Sequence, residues 1–362
     1  MSTLKTTNLQ NASASSPAFV LAADGSATAN LSSVNGGPIA GARNRIINGD
    51  MRIDQRNAGA VMNMTGANYG ACDRWSFNYS AASKFTAQQN AGSVTRPSQF
   101  TNYLGLTSTS AYSVVAGDYF ITRQVIEGFN IADLAWGTAS AQSVTLSFWV
   151  RSSLTGTFGG ALQNDASNRS YPFAYTISAA NTWEQKTVTI AGDTTGTWLT
   201  TNAGGIHVAF GLGVGSTYSG TAGSWSGSNF LSATGATSVV GTNGATFYIT
   251  GVQLEPGSTA TPFERRSYGQ ELALCQRYYY QLLGNRASSS VIASASYAGS
   301  TTNAYLSIPH PVTMRVAPTV VTSGWGGTVP TATPVAEFTS FNSTNYNTYF
   351  FGASVFQASA EL

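Results

Sequence analysis

The nine residues Ser143-Val144-Thr145-Leu146-Ser147-Phe148-Trp149-Val150-Arg151 decide the fold class. Val144, Leu146, Phe148 and Val150 fall on one side of an extended chain, and Thr145, Ser147, Trp149 and Arg151 on the other. A period of two is a strand signal, and the β-branched and aromatic content agrees with it. Working outward, Trp183–Ile190 and Phe247–Leu254 repeat the pattern, the first closed by Gly192-Asp193 and the second by Pro256-Gly257. Long alternating runs between Gly, Asn, Ser and Thr clusters predict antiparallel strands over residues 43–266, arranged as a jelly-roll β-sandwich.

Composition supports an all-β chain. Charged residues make up only 9% and aromatics 12%, with 38 glycines, so rings and small hydroxylated residues must build the cores while helix formers are scarce. At 362 residues the chain suits an arm and two β domains. Residues 1–42 are small and polar apart from Phe19-Val20-Leu21 and Leu31, which is too little for a core. They are expected to be an extended attachment arm that needs a partner surface. Residues 267–282 are the one helix candidate, with Ser267 as cap, Gln270 as its capping-box partner and Gly284 as stop. Strands at Ala304–Ile308, Thr319–Thr322 and Tyr346–Val355 then predict a smaller C-terminal β domain over 283–362.

Several functions are disfavoured. A net charge of +2 without a basic run argues against nucleic acid, and the absence of a long apolar stretch argues against membrane insertion; no secretion signal opens the chain, which is expected to be made in the cytoplasm. Cys72 and Cys275 are too few for a disulfide framework or a zinc cluster and are expected to be buried thiols. His207 and His310 have no metal-ligand spacing and no nucleophile motif accompanies them. Glycoside cleavage needs paired carboxylates, but Asp50 and Asp54, on one face of a strand, would stand about 13 Å apart. Asp73 is expected to pair with Arg74, Arg45 or Arg266. No catalytic residue, metal or cofactor is assigned.

The motifs Asn44-Arg45-Ile46-Ile47-Asn48-Gly49-Asp50-Met51, Asp73-Arg74-Trp75, Gln253-Leu254-Glu255-Pro256-Gly257 and Thr261-Pro262-Phe263-Glu264-Arg265-Arg266 resemble a recurrent module of bacteriophage tail-fibre and other virion proteins. Glu271-Leu272-Ala273-Leu274-Cys275-Gln276-Arg277-Tyr278-Tyr279 and Pro311–Thr319 extend the likeness. The intervening segment also looks like the carbohydrate-binding jelly rolls of glycan-degrading enzymes. The resemblance implies a virion protein, most simply a homotrimeric tail fibre whose residues 1–42 mate with other virion proteins and whose distal parts bind host cell-surface polysaccharide without cleaving it. A capsid decoration or head-fibre protein, and a polysaccharide depolymerase, are the alternatives. Related sugar-binding modules often hold calcium through an acidic residue in the last strand, where this chain has Thr250. Sugars stack on rings flanked by amides and hydroxyls. The ligand candidates are therefore Trp136, Trp198, Tyr218, Trp225 and Trp325, with Phe230 and the run Tyr346, Tyr349, Phe350 and Phe351 as further loop or tip rings; Trp75, Trp149 and Trp183 are assigned to cores.

Overall fold

The computed structural model describes residues 43–66, 68–282, 307–323, 331–342 and 355–362, and the backbone alone of strand residues 8–9, 19–21, 27–29, 283, 296–297, 304–306 and 343. Its centre is a sandwich of two antiparallel sheets. One has five strands, in the order β11 (Ser170–Ile177), β10 (Gly156–Asn164), β13 (Gly204–Val214), β8 (Tyr119–Glu127) and β5 (Ser76–Tyr79). The other has six, in the order β12 (Glu184–Ile190), β9 (Val144–Ser152), β16 (Thr246–Pro256), β7 (Leu104–Ser108), β6 (Phe85–Gln89) and β4 (Met62–Asn63). The jelly-roll, all-β expectation holds.

The stretch that signalled the fold is β9. Its Val144, Leu146, Phe148 and Val150 are all fully buried, each contributing on the order of 2 kcal/mol by removal from water. Rings cross between the sheets: Phe148 meets Tyr175 at 4.9 Å and Phe210 at 5.0 Å, Phe158 meets Phe247 at 6.1 Å, and Phe85 meets Phe120 at 6.5 Å. β16 is longer than expected and carries a bulge between Thr250 and Gln253. Gly251 makes the bulge, with φ +61, and a side chain there would meet the Phe100 ring 2.4 Å away. On the outer face of the five-stranded sheet, Gly159 and Gly211 leave room for Ser232, in a covering loop that holds the short parallel pair β14 (Ser219–Gly220) and β15 (Ser232–Ala233).

The helix is shorter than the sequence predicts. Ser267 does cap it through a reciprocal box with Gln270, but α1 covers only Tyr268–Gln276. Tyr279–Leu283 is a strand, β17, paired to β23 (Val355–Ser359), which pairs in turn with β20 (Thr319–Ser323). Tertiary pairing overrides the helical spacing because Tyr280 and Leu282 alternate onto a second small core around Phe356, Ile308, Met314 and Phe341. A four-stranded sheet, β18 (Ser296–Tyr297), β19 (Ala304–Pro309), β22 (Phe338–Ser343) and β21 (Thr331–Pro334), completes this region. Within residues 1–42, strands β1 (Asn8–Leu9), β2 (Phe19–Leu21) and β3 (Ala27–Ala29) pair antiparallel; the rest of that segment lies outside the described residues, as do Tyr346, Tyr349, Phe350 and Phe351.

Candidate functional site

The motifs that looked distinctive in sequence converge on one place, the seam between the sandwich and the C-terminal strands. Gly49 lies so close to the Val252 carbonyl that a Cβ would sit 2.2 Å from its oxygen. The Asn48 side chain accepts from Ile53 N and donates to the carbonyls of Ile53 and Asp73. Arg74 is 1% exposed, stacks 3.5 Å from the Tyr278 ring, donates to the Val125 carbonyl and pairs with Glu361. Arg56 bridges Glu361 at 3.0 Å and Asp73 at 3.7 Å while lying 3.6 Å from the Tyr279 ring, which burial pushes up to about 12. Glu127 accepts from both Arg277 (2.6 and 2.9 Å) and Tyr278 (2.6 Å); these bonds, led by Arg277, outweigh its burial and hold its carboxyl below the usual range. Arg315 spans the seam from Asn202 to the carbonyls of Ala360 and Glu361. These residues tie the sandwich to the C-terminal strands, and their polar groups are engaged with one another and with backbone carbonyls.

A groove of about 570 Å³ beside α1 has Arg265, Arg266 and Arg277 on its wall with Ala273, Leu274 and Val312. Arg266 is spent on the carbonyls of Asn44 and Ile46, Arg277 on Glu127, and Arg265 on the Gln99 carbonyl.

Three of the sequence-chosen rings do come together. Trp136, Trp198 and Trp225 pack edge to face, with centroids 4.7, 5.3 and 5.5 Å apart. Trp136 and Trp198 are core residues, 6% and 7% exposed, rather than rings presented on loops. Each indole N–H is taken by a backbone carbonyl, of Gln142, Thr195 and Ala191 respectively. Trp225 is half-buried against Tyr171, beside the bidentate Arg169–Asp193 pair. The cluster pins three loops at one end of the sandwich, with the edge of Trp225 as its accessible part. Tyr218 is half-buried on Tyr119 in the covering loop, and Phe230 fills the space left by Gly220. Trp325 lies outside the described residues.

A second aromatic group was missed. Trp75 is fully buried as assigned, but Trp149 and Trp183 are only half-buried on the outer side of the six-stranded sheet, Trp183 against a small satellite core of Ala91, Tyr103 and Tyr248. Trp149 is flanked in register by exposed Gln185 on one side and Thr250 on the other. Trp183 packs on Tyr103, which packs on Tyr248, with Arg151 5.4 Å above the Tyr248 ring. The Trp183 indole donates to the Thr95 carbonyl, tying the group to a loop, 93–101, that surrounds a hollow of about 470 Å³. Gln185, beside Trp149 in register, is exposed, as are Thr187, two residues along the same strand, and Asn181, whose carbonyl accepts from Arg151. The alternation that places Phe148 and Val150 inward also places Trp149 outward, so the signal was present in the same nine residues.

The acidic groups are mostly engaged. Asp50 pairs with Arg52 at 2.6 Å, Asp193 with Arg169, Glu271 with Arg266 and Asp133 with Arg45. Asp73 pairs with Arg56 rather than with Arg74, Arg45 or Arg266, because the left-handed turn at Arg74 (φ 73) sends that side chain to Glu361 instead. Burial raises the Asp73 carboxyl to about 6 against the opposing pull of Arg56 and Gln55. Both nitrogens of His207 are occupied, by Arg123 at 3.3 Å and Asp165 at 3.1 Å, and burial lowers its basicity. Among the described residues no cluster of three metal-ligating side chains occurs, and no helix is long and apolar enough to cross a membrane. Both cysteines are buried thiols.

No family model and no curated protein matches the sequence. Solved structures do align. The enzymatically active domain of tailspike protein 4 from bacteriophage CBA120 is 13% identical over 61% of this chain and 22% of its own length, with a TM-score of 0.33. A family 11 carbohydrate-binding module of a Clostridium thermocellum cellulosomal cellulase is 11% identical over 57% of this chain and 99% of its own, at 0.27. TmCBM61, solved with β-1,4-galactotriose, is 10% identical over 59% and 99%, at 0.30. The chain thus spans about a fifth of the tailspike domain's length, and the ligands and activity belong to those proteins.

Proposed function

We propose that this chain is a non-catalytic glycan-binding structural protein of a bacteriophage particle, a homotrimeric tail fibre attached through residues 1–42 and carrying its sugar site on the sandwich. The observation that carries the binding part is that Trp149 and Trp183 are half-buried on the outer side of the six-stranded sheet, with exposed Gln185 in register beside Trp149. Rings offer faces to the apolar sides of a sugar, while amides and hydroxyls satisfy its hydroxyl groups. The engaged state of the carboxylates supports binding without cleavage. The virion location rests on the likeness of the motifs at 44–51, 73–75 and 253–279. Three shallow sites on one particle gain avidity when their spacing matches the surface, so each needs only weak affinity.

The test is binding of the full chain to a glycan array and then, by calorimetry, to the best ligand. Replacing Trp149 or Trp183 by Ala is expected to cost about 1 kcal/mol each, roughly fivefold in affinity. Wild-type protein that binds no glycan, or a double variant that binds as tightly as wild type, would refute the assignment. Antibody labelling of intact particles separates tail from capsid placement.

A further inference from the structure

One buried carboxylate of the last sandwich strand is held without an ion pair. Glu255, 1% exposed near the end of β16, is held by three neutral donors: Thr261 N at 2.8 Å, Thr261 Oγ1 at 2.6 Å and Gln253 Nε2 at 2.8 Å. Burying such a group is costly. Gln253 is fully buried and Thr261 is 7% exposed, so the three side chains meet away from bulk water.

Their orientation is fixed. Gln253 Oε1 accepts from Glu264 N at 2.7 Å, and Nε2 points at the carboxylate, so the amide cannot be turned over without losing both bonds. Thr261 Oγ1 also accepts from Nε2 at 3.4 Å, which sets the hydroxyl against the amide group. A hydroxyl with a carboxylate at hydrogen-bond distance, a side-chain amide next to it and an N–H on that amide's oxygen are the parts of an acyl transfer: nucleophile, base, electrophile and oxyanion donor.

We infer that Thr261 and Gln253 form an internal ester, made by the protein on itself. Thr261 Oγ1 bonds to Gln253 Cδ as its proton passes to Glu255. The oxyanion forms where Oε1 already faces Glu264 N–H. On collapse the Cδ–Nε2 bond breaks, Glu255 returns the proton to nitrogen, and ammonia leaves. One hydroxyl and one carboxamide become one ester and one ammonia, with no water, oxidant or cofactor consumed. A single turnover in the life of the molecule suffices, so an amide is an adequate acyl donor. The product is a covalent ring closing the turn between the last sandwich strand and α1, independent of any glycan site.

Mass spectrometry of wild-type protein decides the matter. Trypsin leaves 253 and 261 together in peptide 187–265, which is expected about 17 Da lighter than its sequence, without backbone fragments between the two positions, and about 18 Da heavier again after mild alkaline hydrolysis. Thr261→Ser should keep the loss, whereas Thr261→Val and Glu255→Gln should abolish it. A peptide at its sequence mass overturns the inference. So does a gain of about 1 Da, which would mean that water rather than Thr261 took the amide carbon. A loss that maps elsewhere overturns it equally.

Discussion

Replacing Asp73 by Asn should change how stability depends on pH, and the size follows from the seam. Asp73 is 1% exposed and accepts hydrogen bonds from the backbone and side chain of Gln55, with Arg56 3.7 Å away. Burial dominates and lifts its folded pKa from 3.8 to about 6. In the unfolded chain the proton leaves near pH 4, and in the folded protein near pH 6. Between those values the folded state holds more protons, so stability falls as pH rises through the window and levels off above it. A difference of about two pKa units corresponds to about 3 kcal/mol. His207 acts in the opposite sense, because its lowered folded pKa makes the unfolded state bind more protons as pH falls below about 6.5, but it is present in both proteins and cancels. The amide cannot accept from both Gln55 donors, which adds a pH-independent cost of about 1–3 kcal/mol. Guanidinium unfolding of both proteins from pH 4 to pH 8 should therefore give curves whose separation changes by about 3 kcal/mol, wild type losing stability relative to the variant as pH rises. Parallel curves would show that Asp73 titrates normally and would refute the account of the seam.

Glu361→Gln should be among the most harmful single changes, because it leaves Arg74 buried beside Tyr278 with no counter-charge and weakens the hold on Arg56; a loss of about 3–5 kcal/mol is expected, read as faster hydrogen exchange in β17 and β23 before the sandwich opens. Trp136→Ala removes one of the two buried rings of the tryptophan cluster and should cost about 3–5 kcal/mol in denaturant, whereas Trp225→Ala, at its half-exposed edge, should cost about half as much.

Local pattern alone accounts for the sheet-rich class, the inward face of β9 and the helix cap at Ser267, because each rests on a period of two or a spacing of three residues, and composition alone gives the scarcity of charge. The sequence also marked the motifs at 44–51, 73–75 and 253–279 as distinctive. What those motifs do was settled by tertiary structure: Arg74 meets Glu361 across 287 positions and Arg277 meets Glu127 across 150, and no periodicity encodes partners so distant. The helix stops at Gln276 for the same reason, since Tyr279–Leu283 found a strand partner in Val355–Ser359. Exposure was equally beyond local reach. Trp136 and Trp198 sit in a Gly- and Thr-rich context that reads as loop, yet they are buried by one another and by Trp225. Trp149 sits in the clearest strand of the chain, yet half of it faces outward, because a strand assigns a side chain to a face and only the packing of other segments decides whether that face is covered.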